Sequence, residues 1–373
     1  MSLLTLVSLL LFSTSATVLA SPCVAFDINW NLLAFDLDGK DYNAGTQDTW
    51  TGSGKATDIT TSGRPPFDGS NTTCYLSQYT NAIYVMGADS QEPASVYIYD
   101  AGAKSWSTQA VTAGSFDPSS FDAILDHDTN VFYALSNGNL FSLDMGLLKA
   151  ANSTPLAWVN AEQAPYPANY QPVMALAQNH IHFLDVPGVA AGSADIFVIH
   201  YSYFQPVPQP FPLPNGSAIP ATYGQATSFF QESGVQQEFA FIPQDSSAVY
   251  VVNVETNTTQ MLAGPTTKDP KATYFAGITS LVQLDSAGGV SFLPYQEGNV
   301  SVNSAASWST VSLLAAVAPP SSSPNNSTSP SGSSGGNSTG SGSSGNTGGA
   351  PSSSTVHWSL LAILAAAAIV ASL

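Results

Sequence analysis

Ala82-Ile-Tyr-Val-Met-Gly-Ala88, then Ser95-Val-Tyr-Ile-Tyr-Asp100, then Lys104-Ser-Trp106 is the stretch that decides the fold. Two short β-branched and aromatic runs are separated by a polar connection, and a tryptophan follows the second. Alternation along Val96–Tyr99 places Tyr97 and Tyr99 on one face, as packing two sheets face to face requires. A further run, Thr73–Leu76, lies just upstream, so Thr73–Val111 reads as one unit of four strands.

The same order recurs along the chain. Strand pairs are expected at Val24–Ile28 with Leu32–Leu37, Ile83–Met86 with Val96–Tyr99, Val131–Leu135 with Leu140–Leu143, and Ile181–Val186 with Ile196–Tyr201. Two more follow, Phe239–Ile242 with Val249–Val254 and Leu281–Leu284 with Val290–Leu293. Trp50, Trp106, Trp158, Phe211, Met261 and Trp308 mark an outer strand after each pair. Thr73–Leu76, Phe121–Leu125, Val173–Ala177, Ala226–Phe230 and Ala276–Leu281 mark an inner strand before most of them. Four strands at a period of about 50 residues, with almost no helical periodicity, is the sequence form of propeller blades. The expected fold is all-β, a β-propeller of six four-stranded blades. Seven is the alternative if the terminal regions share one more blade, and a β-sandwich or β-solenoid is the competing architecture.

Thr73–Val111 also resembles a kelch repeat, in which a strand ending in a Gly doublet precedes a Tyr-Asp strand and then a Trp. Here Gly87-Ala88 replaces the doublet, while Tyr99-Asp100 and Trp106 match. Phe35-Asp36, Leu143-Asp144 and Val254-Glu255 echo the Tyr-Asp step loosely. The resemblance implies a kelch-like or galactose-oxidase-like propeller. The copper-radical chemistry of that oxidase family needs a Tyr crosslinked to a Cys in the propeller body. Both cysteines here are N-terminal, so that activity is not expected.

The two ends of the chain carry processing signals. Leu3–Leu19 is apolar apart from Ser and Thr and leads into Val18-Leu19-Ala20, so residues 1–20 read as a signal peptide cleaved after Ala20. The propeller is expected over 21–318 and a disordered Ser/Gly/Asn-rich stalk over 319–355; 356–373 form a hydrophobic C-terminal signal. Small residues, a polar spacer and an apolar run, Trp358–Leu373, with no basic flank form the layout of glycosylphosphatidylinositol (GPI) attachment. Asn346, followed by Thr347 and Gly348, meets the spacing for the attachment residue, with Gly345, Gly348 and Gly349 as close rivals, and a retained short membrane helix is the alternative to cleavage. The layout resembles GPI-anchored surface proteins of filamentous fungi.

Seven basic and 25 acidic residues give a net charge of −18, which repels phosphate backbones and makes nucleic acid a poor partner. Glycosylation sequons stand at Asn71, Asn152, Asn215, Asn257, Asn299, Asn325, Asn326 and Asn337. Cys23 and Cys74 are the two cysteines, and in an oxidising secretory route they read as one disulfide.

Chemistry is sparse. His180 and His182 would share one strand face, with His200, Asp185 and Asp195 near in sequence, yet ordinary strand histidines account for them; no metal or cofactor is expected. Asp122, Asp126, Asp128, Glu232, Glu238 and Asp245 are the acids from which a paired-carboxylate site could be drawn, and Asp126-His127-Asp128 reads as a solvated turn. No nucleophile elbow, zinc helix, phosphate loop or dinucleotide fingerprint occurs. Tyr97, Tyr99, Trp106 and Trp158 read as blade-packing residues, and the proline run within Tyr201–Pro220 as a rigid insert. These readings point to an extracellular glycoprotein, held to the plasma membrane by a lipid anchor or passed to the cell wall. Its non-catalytic head would meet a wall or matrix glycan or protein. A surface carbohydrate-active hydrolase or lyase using carboxylates at the propeller mouth is the alternative.

Overall fold

The computed structural model describes residues 21–319. Asn325, Asn326, Asn337, Asn346 and both processing signals lie outside the described residues.

Six antiparallel four-stranded arrays follow one another along the chain, each built from strands taken in chain order, and only Leu156–Ala157, which pairs in parallel with Val111–Thr112, interrupts the run of blade 3. Blade 1 comprises Cys23–Phe26, Leu32–Leu37, Lys40–Asn43 and Thr57–Asp58. Blade 2 comprises Thr73–Ser77, Ala82–Met86, Val96–Asp100 and Ser105–Gln109. Blade 3 comprises Asp122–Asp126, Val131–Ser136, Asn139–Asp144 and Val159–Gln163. Blade 4 has Met174–Ala177, His180–Phe183, Ser193–Val198 and Tyr203–Phe204, with Gln209–Pro210 pairing again to its third strand. Blade 5 comprises Gly224–Ser228, Glu238–Pro243, Ala248–Asn253 and Thr258–Ala263. Blade 6 comprises Thr273–Ala276, Ser280–Leu284, Val290–Pro294 and Ser309–Thr310.

The first strands of successive blades touch in order, and blade 6 meets blade 1 to close the ring. Apolar burial is divided among the blade interfaces. Separate clusters fill the interfaces from blade 2 to blade 6, and one larger cluster runs through blades 6, 1 and 2. The alternation read from the sequence explains this. Tyr97 and Tyr99 face blade 1, where Tyr99 and Trp106 pack on Phe35, while Val96 and Ile98 face blade 3. Trp158 stacks on Phe116 at 4.2 Å. Gly87, at the kelch-like position, has a reason of its own. Its φ is +64°, and a Cβ there would meet the Asn71 carbonyl oxygen at 2.4 Å.

Because no blade borrows a strand from the other end of the chain, the seam between blades 6 and 1 needs another clasp. The segment after the last strand supplies it. Leu313 and Leu314 of the short helix Ser312–Ala315 are buried in the blade-1 cluster. The Ala56 N–H donates to the Leu313 carbonyl at 3.0 Å. Trp50 meets Phe292 edge-on at 4.9 Å, and the Thr279 hydroxyl donates to Gln47 Oε1 at 2.6 Å. On the other side of blade 1, Cys23 and Cys74 form the expected disulfide between the first strands of blades 1 and 2.

Four strand expectations need correction. In blade 1 the pair near Val24 and Leu32 forms strands one and two, whereas elsewhere the pairs are strands two and three. Trp50 therefore lies beyond a 3-10 turn, Gln47–Thr49, and the outer strand is Thr57–Asp58. The inner strand of blade 6 is Thr273–Ala276 rather than Ala276–Leu281, because residues 277–279 form the turn. Ile199–Tyr201 is a 3-10 turn, not strand. Phe211 is not in the fourth strand of blade 4; with Leu213 it anchors the proline-rich insert in the core between blades 4 and 5. Among the described residues no helix is long and apolar enough to cross a membrane.

Candidate functional site

The first strand of each blade has its neighbour in the sheet on one side only, so its free edge lines the ring's central channel. Backbone groups on such an edge need partners or water. A cavity of about 660 Å³ opens there, walled by residues of all six blades and by the connections entering blades 2 to 5. Its lining is rich in Ser, Thr, Asn, Gln and Tyr and contains one carboxylate, Asp122, with no Lys, Arg or His.

Several of these polar groups hold neighbouring blades together. Asp122 Oδ2 accepts the Met174 N–H of blade 4 at 2.9 Å, and its Oδ1 accepts the Ala123 N–H at 2.9 Å. Ser228 Oγ accepts the Leu176 N–H at 3.0 Å, and Thr227 Oγ1 accepts the Ala276 N–H at 3.0 Å. Gln225 Nε2 donates to the Ala272 carbonyl. Enclosure by the channel walls pushes the Asp122 carboxyl up to about 7, against the pull of its two N–H donors. Its surface remains partly open to the lumen, so water there tempers that desolvation. Burial raises the phenols of Tyr75, Tyr170, Tyr223 and Tyr274 above their ordinary value, and the Asp122 charge adds to the shift at the first three.

The six candidate acids do not converge. Asp126 is buried and accepts the Thr129 hydroxyl at 2.5 Å, while Asp128 faces His127 Nε2 at 3.0 Å on the turn after the first strand of blade 3. Glu238 is buried against the Tyr295 hydroxyl and the Asn253 amide. Asp245 sits on an exposed turn, and Glu232 lines a different cavity. Only Asp122 is in the channel. One acid near neutrality can exchange a proton, but paired-carboxylate glycoside hydrolysis needs two acids roughly 5–9 Å apart.

His182 is buried between Phe211 and Phe239, and desolvation drives its imidazole down to about 3, so it is a neutral core residue. His180 is half-buried, and His200 is exposed with Nε2 3.3 Å from Asn179 Nδ2. Among the described residues no three His, Cys, Asp or Glu side chains gather as a metal site. The only arginine, Arg64, is engaged inside blade 1, at 2.6 Å from Asp36, 2.9 Å from Asp41 and 4.9 Å from the Phe67 ring centre. Burial raises both carboxyls above their ordinary value, and Arg64 opposes the shift.

The sequons occupy different places. Asn71 is exposed on the channel rim. Asn152, Asn215 and Asn257 are exposed on loops outside the channel lining. Asn299 is half-buried and caps the helix Val300–Ala305, its Oδ1 accepting the Val302 N–H at 3.2 Å.

A second cavity, about 570 Å³, lies where the turns after the first strands of blades 1, 2, 5 and 6 meet the loop after the third strand of blade 1. Phe26, Ile28, Trp30 and Trp50 share its lining with Gln47, Asp48, Gln78, Gln231 and Glu232. Trp30 escaped the sequence reading. Its backbone φ of +60° is uncommon for a bulky residue, and its neighbours in the cavity are scattered along the chain.

No family model and no curated protein matches this chain. A solved structure described as "Structure of YjhT" aligns with 78% of this chain and 97% of its own, at 11% identity and a TM-score of 0.49. That likeness is too slight to carry any argument.

Proposed function

We propose that this chain is an extracellular glycoprotein, held at the cell surface or wall by a lipid anchor near Asn346, whose propeller head binds a protein or glycan without transforming it. One observation carries the reading of the head. Its channel is lined by neutral polar groups, and the one carboxylate there already accepts two backbone N–H groups. The tether and secretion rest on the apolar ends, the uncharged Ser/Gly-rich segment and the sequons. Glycans on Asn152, Asn215 and Asn257 would project from exposed loops, and one on Asn71 would stand at the channel rim. The kelch-like character of blade 2 belongs to the same proposal; it is supported by Gly87 at the end of the second strand, Tyr99-Asp100 in the third and Trp106 in the fourth.

The alternative, a surface hydrolase or lyase, draws on one specific observation: Asp122, held near neutrality beside a group of tyrosines, is suited to general acid or base work. Release of the intact protein from cells by phosphatidylinositol-specific phospholipase C, followed by a glycan-array screen of the released head, tests the leading reading. Surface release and retention of a glycan or wall protein without cleavage are expected. Retention of residues beyond Trp358 in the mature polypeptide would overturn the tether, and turnover that Asp122→Asn abolishes would overturn the binder.

A further inference from the structure

We infer that the second cavity, on the face of the ring formed by the turns after the first strands, is a binding site for a neutral glycan, with Trp30 as its stacking platform. This rests on the reading of the head as a binding module and names its ligand class.

The platform is built rather than incidental. Residues 27–31 form a tight loop in which Asp27 Oδ1 accepts the Asn29 and Asn31 N–H groups at 2.9 and 3.0 Å, and Asn31 Nδ2 donates to Asp27 Oδ2 at 2.8 Å. The Trp30 N–H donates to the Asp27 carbonyl at 3.0 Å. This loop holds Trp30 at φ +60°, a conformation that persists only where the surroundings impose it. The indole rests between Phe26 and Phe230, at 6.0 and 5.6 Å between ring centres, and remains half open to the cavity. Its Nε1 has no protein acceptor among the described residues.

Around this ring lie carboxamides and carboxylates with free valences. Gln47 Oε1 accepts the Thr279 hydroxyl, leaving its Nε2 for a ligand. Gln231 Nε2 donates to Glu297 Oε1, leaving its own Oε1. Asp48 accepts the Thr46 hydroxyl on one oxygen only, and Gln78 and Glu232 have no side-chain partner among the described residues. Planar amides and carboxylates beside an aromatic face match the vicinal hydroxyls and C–H faces of a pyranose. A ring with equatorial hydroxyls, of glucose configuration, presents the flattest C–H surface to an indole. No Lys or Arg lines the cavity, whereas Asp48 and Glu232 do, so acidic sugars and phosphates are disfavoured. The volume lies within the range of small-ligand sites.

The test uses the full chain, expressed in a secretory host and purified in detergent, titrated with neutral β-linked gluco-oligosaccharides. Separate arms hold an acidic oligosaccharide and an unbiased peptide mixture. Saturable binding of the neutral sugars is expected, weakened at least tenfold by Trp30→Ala and retained in Trp30→Phe. Gln78→Ala, at a partly exposed position, gives a second reading should Trp30→Ala fail to fold; a several-fold loss is expected there. The inference is overturned if none of the sugars binds, if peptides or acidic sugars bind instead, or if binding survives both variants. Sugar binding lost on Tyr223→Ala in the channel but unchanged by Trp30→Ala would sink this site while leaving the binding-module reading intact. Failure of phospholipase release would touch only the tether.

Discussion

The channel and the cavity beneath the turns are both polar, both near aromatic side chains and similar in volume, yet their polar groups are engaged differently. In the channel, Asp122, Thr227, Ser228 and Gln225 reach across to backbone groups of a neighbouring blade. Around Trp30, Gln47, Gln78, Gln231, Asp48 and Glu232 keep valences free. A polar lining is therefore ambiguous until each donor and acceptor has been traced to its partner. Edge strands around a channel demand such partners whatever the protein does, and a turn-built cavity does not.

This contrast can be broken in order of expected effect. Replacing both Cys23 and Cys74 by Ser frees a loop of about 50 residues at the channel wall and should lower unfolding free energy by roughly 4 kcal/mol. Chemical denaturation reads this directly, and a loss below about 1 kcal/mol would mean that the C-terminal clasp holds blade 1 unaided. Asp122→Ala leaves the Met174 N–H without its acceptor and should cost about 1–3 kcal/mol, whereas a group poised solely for a ligand would cost nothing in a thermal melt.

Titration sharpens the same point. The Asp122 carboxyl sits at about 7 in the fold and near 4 when unfolded, so between those values the folded chain alone holds the proton. Its contribution is full below pH 4 and is lost as pH rises through 7, with a slope of at most about 1.4 kcal/mol per pH unit. Asp122→Asn should flatten that decline relative to the parent protein. At the other cavity, Trp30→Gly should change stability by less than about 1 kcal/mol, because relief of the positive φ offsets lost contact with Phe26 and Phe230. A large loss would make Trp30 a packing residue.

Blade 2 was the most legible part of the molecule, because its four strands are each five residues long with regular alternation. Blade 1 misled, since its outer strand shrinks to Thr57–Asp58 and a buried tryptophan in a turn, Trp50, imitates a strand. The disulfide was readable from two cysteines and the expectation of an oxidising secretory route. The roles of Asp122 and Trp30 were not. Asp122 acts through Met174 of the next blade, and Trp30 takes its meaning from turns as far away as Ile278. Both depend on ring closure, which local periodicity does not encode.

The most direct test of the central claim incubates the purified full chain with a panel of wall polysaccharides and follows both retention and new reducing or unsaturated ends. The account predicts retention with no new ends, unchanged by Asp122→Asn. Appearance of ends that Asp122→Asn abolishes would contradict it.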